Sequence, residues 1–331
     1  MINRRAPRSC HAWLLAAALG CGSVATSERN PWDAATSSSP GPDALHHGDA
    51  ALTELIGPDP ERLDATLPGP PAKGADLIQS SEAQQRVGWT LVFADEFEGE
   101  PGSPPQPGRW LTDTRVGTST NSQEAHTDRA ENVRLDGLGH LSITARAESF
   151  HEAQYTTGFL TTQNRFAIMY GRFEIAYRAP SAKGLWPAFW LIGTDYETPW
   201  PARGQINVIQ QLTHDPLRLY PAVAGANYTL AFPHDAGDHD PDGTPAPEFT
   251  RFCMEWDAAE IRWYIADTLY QRYGTSDVPD GSHWDFDHSF FMVLMLAVGG
   301  DWAGPVVAED LTPERSEMLI DYVRVYARDA E

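Results

Sequence analysis

Short runs with strict two-residue alternation constrain the fold of this chain more than any other feature. Phe173, Ile175 and Tyr177 are apolar and alternate with polar or small residues, and the run 261–265 repeats the pattern. Side chains of a β-strand point alternately to opposite faces, so such runs predict antiparallel strands with one apolar face. Many of these runs, without long helical periodicity, predict an all-β sandwich from about residue 88 onward.

The first 21 residues have the pattern of a bacterial export signal. A positively charged start precedes an apolar stretch at 12–19, which is too short to span a bilayer. Ala18-Leu19-Gly20-Cys21 resembles a lipoprotein cleavage box, although Ala18 stands where Leu is usual. We predict a signal peptide over residues 1–20 and a lipid on Cys21, which would anchor the exported protein to the outer membrane or cell surface. Ordinary cleavage nearby and secretion is the alternative.

Residues 22–87 are rich in Pro, Ser, Gly, Ala and Asp. Such a segment cannot bury enough apolar surface to fold, so it is predicted to be a disordered linker. Residues 88–331 then form one domain.

The charge balance argues against polyanionic partners. Against 24 basic residues the chain has 46 acidic ones, for a formal net charge of −22. This balance argues against nucleic acid and anionic membrane surfaces as partners.

The cysteines fit an exported protein without an internal disulfide. Of the three cysteines, Cys10 and Cys21 belong to the predicted signal, which leaves Cys253 for the domain. Cys253 lies in a strand-like apolar run and is predicted to be a buried small hydrophobe.

One predicted strand, 205–210, carries three amide side chains. Trp200-Pro201-Ala202-Arg203-Gly204-Gln205-Ile206-Asn207-Val208-Ile209-Gln210 resembles W-P-x-x-G-E-I-D-I-M-E, the catalytic strand of glycoside hydrolase family 16, which includes laminarinases and lichenases. The resemblance assigns the nucleophile to position 205, a helper to 207 and the acid/base to 210. Here these positions are Gln205, Asn207 and Gln210, which keep the size of the family residues and lose their charge.

Other motifs extend the resemblance from about Gly88 to the C-terminus. They are Phe93-Ala94-Asp95-Glu96-Phe97, Gly171-Arg172-Phe173-Glu174-Ile175, Gly184-Leu185-Trp186-Pro187-Ala188-Phe189-Trp190-Leu191, Leu296-Ala297-Val298-Gly299-Gly300 and Asp321-Tyr322-Val323-Arg324-Val325-Tyr326. The resemblance implies a β-jelly roll of two curved antiparallel sheets, with a sugar-binding cleft on the concave face.

The spacing of the three amides makes a demand on strand geometry. Gln205 and Asn207 share a face, but Gln210 has the opposite parity. It joins them only if a β-bulge near Val208-Ile209 accommodates one extra residue. Retaining glycosidases need two carboxyl groups about 5–5.5 Å apart, and an amide can replace neither. We therefore expect no hydrolysis by this strand.

Aromatic and amide side chains are the predicted sugar ligands. By the resemblance, Trp200, Trp186 and Trp190 line the cleft, and Asn227, Gln205 and Gln210 offer hydrogen bonds. Each tryptophan could instead belong to the core. The family pattern is also altered at Asn227, Thr250, Met295 and Phe159, which predicts a remodelled cleft.

No cofactor is predicted to be required. Glu96 and Asp321 resemble positions near a structural calcium site of the family, and a solvated carboxylate at a strand end is the equal alternative.

These observations predict a non-catalytic, surface-tethered protein that binds or senses β-glucan or a related polysaccharide. Two alternatives stay open. The first is an active endo-β-1,3(4)-glucanase with carboxylates recruited elsewhere, such as Asp195, Glu197 or Asp215. The second is a structural envelope protein that has lost sugar binding.

The lipid anchor has a direct test. The mature protein should partition into the detergent-rich phase, and Cys21→Ser should move it to the aqueous phase, because the thiol that carries the lipid is gone. A wild-type protein already in the aqueous phase would exclude lipidation.

Overall fold

The computed structural model describes residues 78–79, 86–114, 122–235 and 249–329. Within these ranges the chain is nearly all β, with two nine-stranded sheets and a third sheet of three strands. The predicted all-β fold with antiparallel sheets is confirmed. No helix in the described ranges has the length and apolar character that crossing a membrane requires. Cys21 and the signal peptide lie outside the described residues.

Sheet A forms the outer, convex layer. Its strands, in spatial order, are β1 (Ile78–Gln79), β2 (Trp89–Asp95), β21 (Glu317–Arg328), β10 (Gly171–Arg178), β17 (Thr250–Trp256), β18 (Glu260–Ile265) and β19 (Thr268–Gly274), with β5 (Val133–Leu135) and β6 (Leu141–Thr144) attached through β21. Strand β1 pairs with β2 in parallel, so two residues of the segment predicted as linker belong to this sheet.

Sheet B forms the layer that carries the amides. Its strands, in spatial order, are β15 (Tyr228–Ala231), β14 (Ala222–Gly225), β12 (Gln205–Leu212), β11 (Leu185–Gly193), β20 (Phe290–Val298), β9 (Phe159–Thr161) and β3 (Leu111–Thr112), with β13 (Asp215–Leu219) and β16 (His234–Asp235) attached through β12. Sheet C contains β4 (Glu124–His126), β8 (Ala153–Thr157) and β7 (Arg146–Phe150). Within the described ranges the α-helices are two one-turn segments, α1 (Gly300–Ala303) and α2 (Pro313–Ser316).

The core lies between sheets A and B and is built by the predicted alternation. Phe173 and Ile175 of β10 meet Phe189 and Leu191 of β11 in one buried cluster. The residues between them point to the outer faces: Glu174 to the convex side of sheet A, Trp190 to the concave side of sheet B. The two sides of the sandwich therefore carry different chemistry.

An ion-pair network covers the convex face of sheet A. Glu174 is 1% exposed and contacts the guanidinium groups of Arg86 and Arg172, each at 2.6 Å, and that of Arg251 at 3.7 Å. Glu255 joins the network by accepting from Arg172 at 2.7 Å. Both acids lie on the side of the sandwich opposite the amides, which is consistent with a structural role.

Cys253 lies under the same network. Its thiol is buried 3.4 Å from the carbonyl of Ala266, and burial raises the pKa of the Cys253 thiol to about 12. A thiol with such a pKa is protonated at neutral pH. The prediction of a buried side chain is confirmed.

Removing the buried acid of this network should destabilise the domain. Glu174→Gln leaves Arg86 and Arg172 without their shared carboxylate, and losing one partner of a buried ion pair costs roughly 3 kcal/mol. Urea unfolding should report this loss, and Glu309→Gln, an exposed glutamate, should stay within about 0.5 kcal/mol of wild type. Equal stability of the two variants would contradict the prediction.

Candidate functional site

The concave face of sheet B brings the three amides together through a β-bulge. Phe189 of β11 pairs with Ile209, whereas the next residue, Trp190, pairs with Asn207, so Val208 has no partner on β11. The extra residue restores the parity of Gln210, which points to the same side as Gln205 and Asn207. Ile206, Val208 and Ile209 all enter the core. The predicted bulge is confirmed.

A directed chain of hydrogen bonds orders the amide row, which we define as Gln205, Asn207 and Gln210. The indole Nε1 of Trp200 donates to Oε1 of Gln205 at 3.1 Å, and Nε2 of Gln205 donates to Oδ1 of Asn207 at 2.8 Å. The Nδ2 of Asn207 has no hydrogen-bond partner within the described part of the chain. The row contains no group that titrates near neutral pH.

The row is closed to solvent. Gln205, Asn207 and Gln210 are 0%, 1% and 0% exposed. Three neutral amides tolerate this burial far better than three carboxylates would, because buried charge requires a compensating cation. The geometry can donate and accept hydrogen bonds but cannot supply a nucleophile or a proton donor of ordinary acidity.

The predicted tryptophans surround the row but differ in accessibility. Trp186 and Trp190 are each 1% exposed, and neither indole N–H has a hydrogen-bond partner in the described ranges. Trp200 is half-buried beside Gln205. At the opposite end of the face, half-buried Trp302 of α1 contacts Trp186 edge-on, with ring centroids 4.4 Å apart. Of these four tryptophans, Trp200 and Trp302 are the more exposed.

The other altered positions fall into two groups. Phe159 pairs with Met295 across β9 and β20, and Met295 pairs with Ala188 of β11, so both lie on the face of the amide row. Asn227 instead occupies the exposed turn between β14 and β15 with a φ of 66°, a backbone conformation that Asn tolerates well.

Thr250 begins β17 in sheet A, opposite Tyr177. Phe159 and Met295 therefore lie in the same cross-strand row as Gln210. Asn227 and Thr250 lie elsewhere.

The alternative carboxylates do not form a pair. Asp195 and Glu197 follow β11 at the Gln205 end of β12, and Asp215 follows β12 at its other end. The eight residues of β12 span roughly 20 Å, well beyond the separation of any glycosidase acid pair. Hydrogen bonds from Thr198 and the Glu197 amide lower the pKa of Asp195, which makes it a weak base.

One of the two calcium candidates, Glu96, is engaged by an arginine. Both carboxylate oxygens of Glu96 accept from Arg324, at 2.8 and 2.7 Å. A carboxylate already neutralised by a bidentate guanidinium has little attraction left for Ca²⁺. Asp321 lies half-buried on β21. The described ranges contain no group of three or more His, Cys, Asp or Glu residues that could hold a metal ion.

A buried acid that is not among the predicted site residues lies beside this face. Glu124 of β4 is 0% exposed and its Oε1 lies 3.6 Å from Nε2 of His126. The His126 ring stacks on Phe159, with centroids 5.0 Å apart. The available signal was the alternation of polar Ser122, Glu124 and His126 in the sequence.

Comparison with known proteins decides the family. The family model described as glycosyl hydrolases family 16 matches residues 119–324. The chain belongs to this family. It is 33% identical to a β-glucanase of Rhodothermus marinus over 76% of this chain and 90% of the relative.

Solved structures agree with this assignment. The laminarinase catalytic domain of Thermotoga maritima shares 32% identity and has a TM-score of 0.64, over 73% of this chain and 99% of that one.

Another relative by sequence, a β-1,3-glucan-binding protein of Penaeus monodon, is 26% identical over 53% of this chain and 63% of its own length. The fold of two curved sheets with a concave face is thus that of the family.

The hydrogen bond from Trp200 should contribute measurably to stability. Trp200→Phe keeps an aromatic ring and removes the N–H donated to buried Gln205, which should cost about 1 kcal/mol. Trp284→Phe is the matched control, because Trp284 is also half-buried and its Nε1 has no hydrogen-bond partner in the described ranges. Thermal or urea unfolding should separate the two variants, and an equal loss in both would argue against the contribution of this bond.

Proposed function

We propose that this chain is a non-catalytic member of family 16 that binds or senses a β-glucan or a related polysaccharide. The observation that carries the proposal is the amide row. Gln205, Asn207 and Gln210 occupy one face of one bulged strand, as the family's chemistry requires, without a carboxylate among them.

Hydrogen-bonding capacity supports binding in place of catalysis. Amides both donate and accept, as sugar hydroxyls do. The relative from Penaeus monodon is named as a β-1,3-glucan-binding protein, which gives a precedent for binding among similar chains. Binding requires the half-buried ring of Trp200 to exchange its hydrogen bond with Gln205 for one with a sugar hydroxyl.

The burial of the row favours a second candidate, a structural envelope protein. With exposures of 0–1%, the amides act as part of a closed polar core. The two candidates differ in one measurement, the binding of the purified protein to a polysaccharide array.

Hydrolysis by other carboxylates has less support. It needs two acids on opposite sides of a glycosidic bond, and the separation of Asp215 from Asp195 and Glu197 does not provide them. For the site of action we propose attachment to the outer membrane or cell surface through Cys21, with the polysaccharide as partner.

The first test of the proposal is an assay for polysaccharide hydrolysis. The purified full-length protein should release no reducing ends from laminarin, lichenan, agarose or carrageenan above a buffer blank, because no member of the row can attack or protonate. Turnover that persists after exhaustive purification would falsify the proposal.

Reversion of the amides tests how far the cleft has been remodelled. We expect the triple variant Gln205→Glu, Asn207→Asp and Gln210→Glu to be slow or inactive, because Phe159 and Met295 also depart from the family pattern on the same face. The control adds Trp200→Ala, which should abolish any regained rate. A revertant with the rate of an ordinary glucanase would show that the three amides alone silence the site.

A further inference from the structure

Three arginine side chains on the convex face of sheet A converge on one exposed carboxylate. We define the arginine cluster as Arg86, Arg172 and Arg251. The carboxylate belongs to Asp267, which lies in the turn between β18 and β19 and whose side chain is 72% exposed. On its inner side the cluster contacts buried Glu174. The arginines therefore lie between one carboxylate inside the protein and another at its surface.

Asp267 satisfies the cluster incompletely. Arg251 Nη2 donates to Oδ2 of Asp267 at 2.6 Å. The other oxygen, Oδ1, lies 3.7 Å from Arg172 Nη2 and 4.0 Å from Arg86 Nη1, and both distances are too long for a hydrogen bond. Arg172 Nη2 and Arg86 Nε are buried without a hydrogen-bond partner in the described ranges. Native structures satisfy almost all buried donors, so two such groups in one cluster indicate a site that Asp267 does not complete.

An external ion needs no cavity to replace the Asp267 side chain, because the carboxylate is itself open to solvent. The side chains of Arg86 and Arg251 are 21% and 23% exposed, so they can be approached once the carboxylate has moved away. An exposed ion pair contributes at most about 1 kcal/mol, so this movement costs little. The turn does not depend on the ion pair, because the Ala266 amide donates to the carbonyl of Arg251 at 2.7 Å.

We propose that the arginine cluster binds a small tetrahedral oxyanion, a phosphate or sulfate group, at the position of the Asp267 carboxylate. Glu174 and Glu255 balance two of the three guanidinium groups, so one positive charge is left when Asp267 withdraws. A tetrahedral ion presents oxygens in several directions and can accept from all three arginines, whose planar forks suit such oxygens. The inference does not depend on polysaccharide binding.

Other ligands fit the cluster less well. The formal net charge of −22 repels nucleic acid and anionic bilayers. A small ion responds mainly to the nearby arginines, because salt screens charges beyond roughly 10 Å. A carboxylate from a partner protein has the same planar shape as that of Asp267 and would leave the same donors unsatisfied. An ion-pair network with a structural role only is the remaining possibility and becomes an outcome of the test.

The experiment removes the internal competitor. Asp267→Asn keeps the size of the side chain and removes the charge that occupies the site. Full-length wild type and variant are titrated with inorganic phosphate by phosphorus NMR at constant ionic strength. The variant should bind phosphate about 10-fold more tightly than wild type, the equivalent of 1.4 kcal/mol. A gain in affinity cannot result from misfolding, and adding Arg251→Gln should cancel it.

Competing ions test the class of ligand. Sulfate should displace phosphate from both proteins, because the two ions share their shape. Acetate should compete about 10-fold more weakly than sulfate, because it offers only two oxygens in one plane. Acetate that competes as well as sulfate would assign the cluster to a carboxylate and overturn the inference.

The matched control is Asp280→Asn, which removes the same charge from an exposed acid in a different loop. It should leave the affinity for phosphate unchanged. Equal gains in Asp267→Asn and Asp280→Asn would reduce the effect to net charge. A wild-type protein that binds no phosphate would leave the cluster with a structural role only. Either result overturns the inference, and neither bears on polysaccharide binding.

Discussion

The extra residue at Val208 is the constraint on which the rest of the site depends. It lets β12 place Gln205, Asn207 and Gln210 on one face while Ile206 and Ile209 enter the core. Without the bulge, Gln210 would be buried among apolar side chains and Ile209 would face the cleft, and both changes are unfavourable. The fold therefore specifies the geometry of the site independently of its chemistry, and that geometry is intact here although the acids are not.

Replacing acids by amides also changes the energetics of the closed row. Carboxylates at these positions would repel one another and lose hydration when buried, a strain typical of active sites. Gln205 and Asn207 instead form a hydrogen bond to each other, and Trp200 donates to the first of them. These two hydrogen bonds hold the side chains of Trp200, Gln205 and Asn207 in one arrangement.

Much of this arrangement could be predicted from the sequence because it depends on local rules. Alternation in β10 and β11 predicts which side chains enter the core, and parity within 205–210 predicts the bulge. Contacts between distant segments could not be predicted in this way. Glu124 meets Val298 across 174 positions of the chain, and Arg324 meets Glu96 across 228. Burial of the row depends on such contacts, which no local pattern encodes.

Arg86 links the start of the domain to the convex face, with its guanidinium against Glu174 and 5.9 Å from the centre of the Tyr326 ring. The amide-bearing sheet lies on the other side of the core. Tension applied at the start of the domain would load β1, β2 and the ion pairs of Arg86 first, and the hydrophobic core would isolate the amides from it. The segment that would carry such a load and the amide row thus belong to opposite layers of the sandwich.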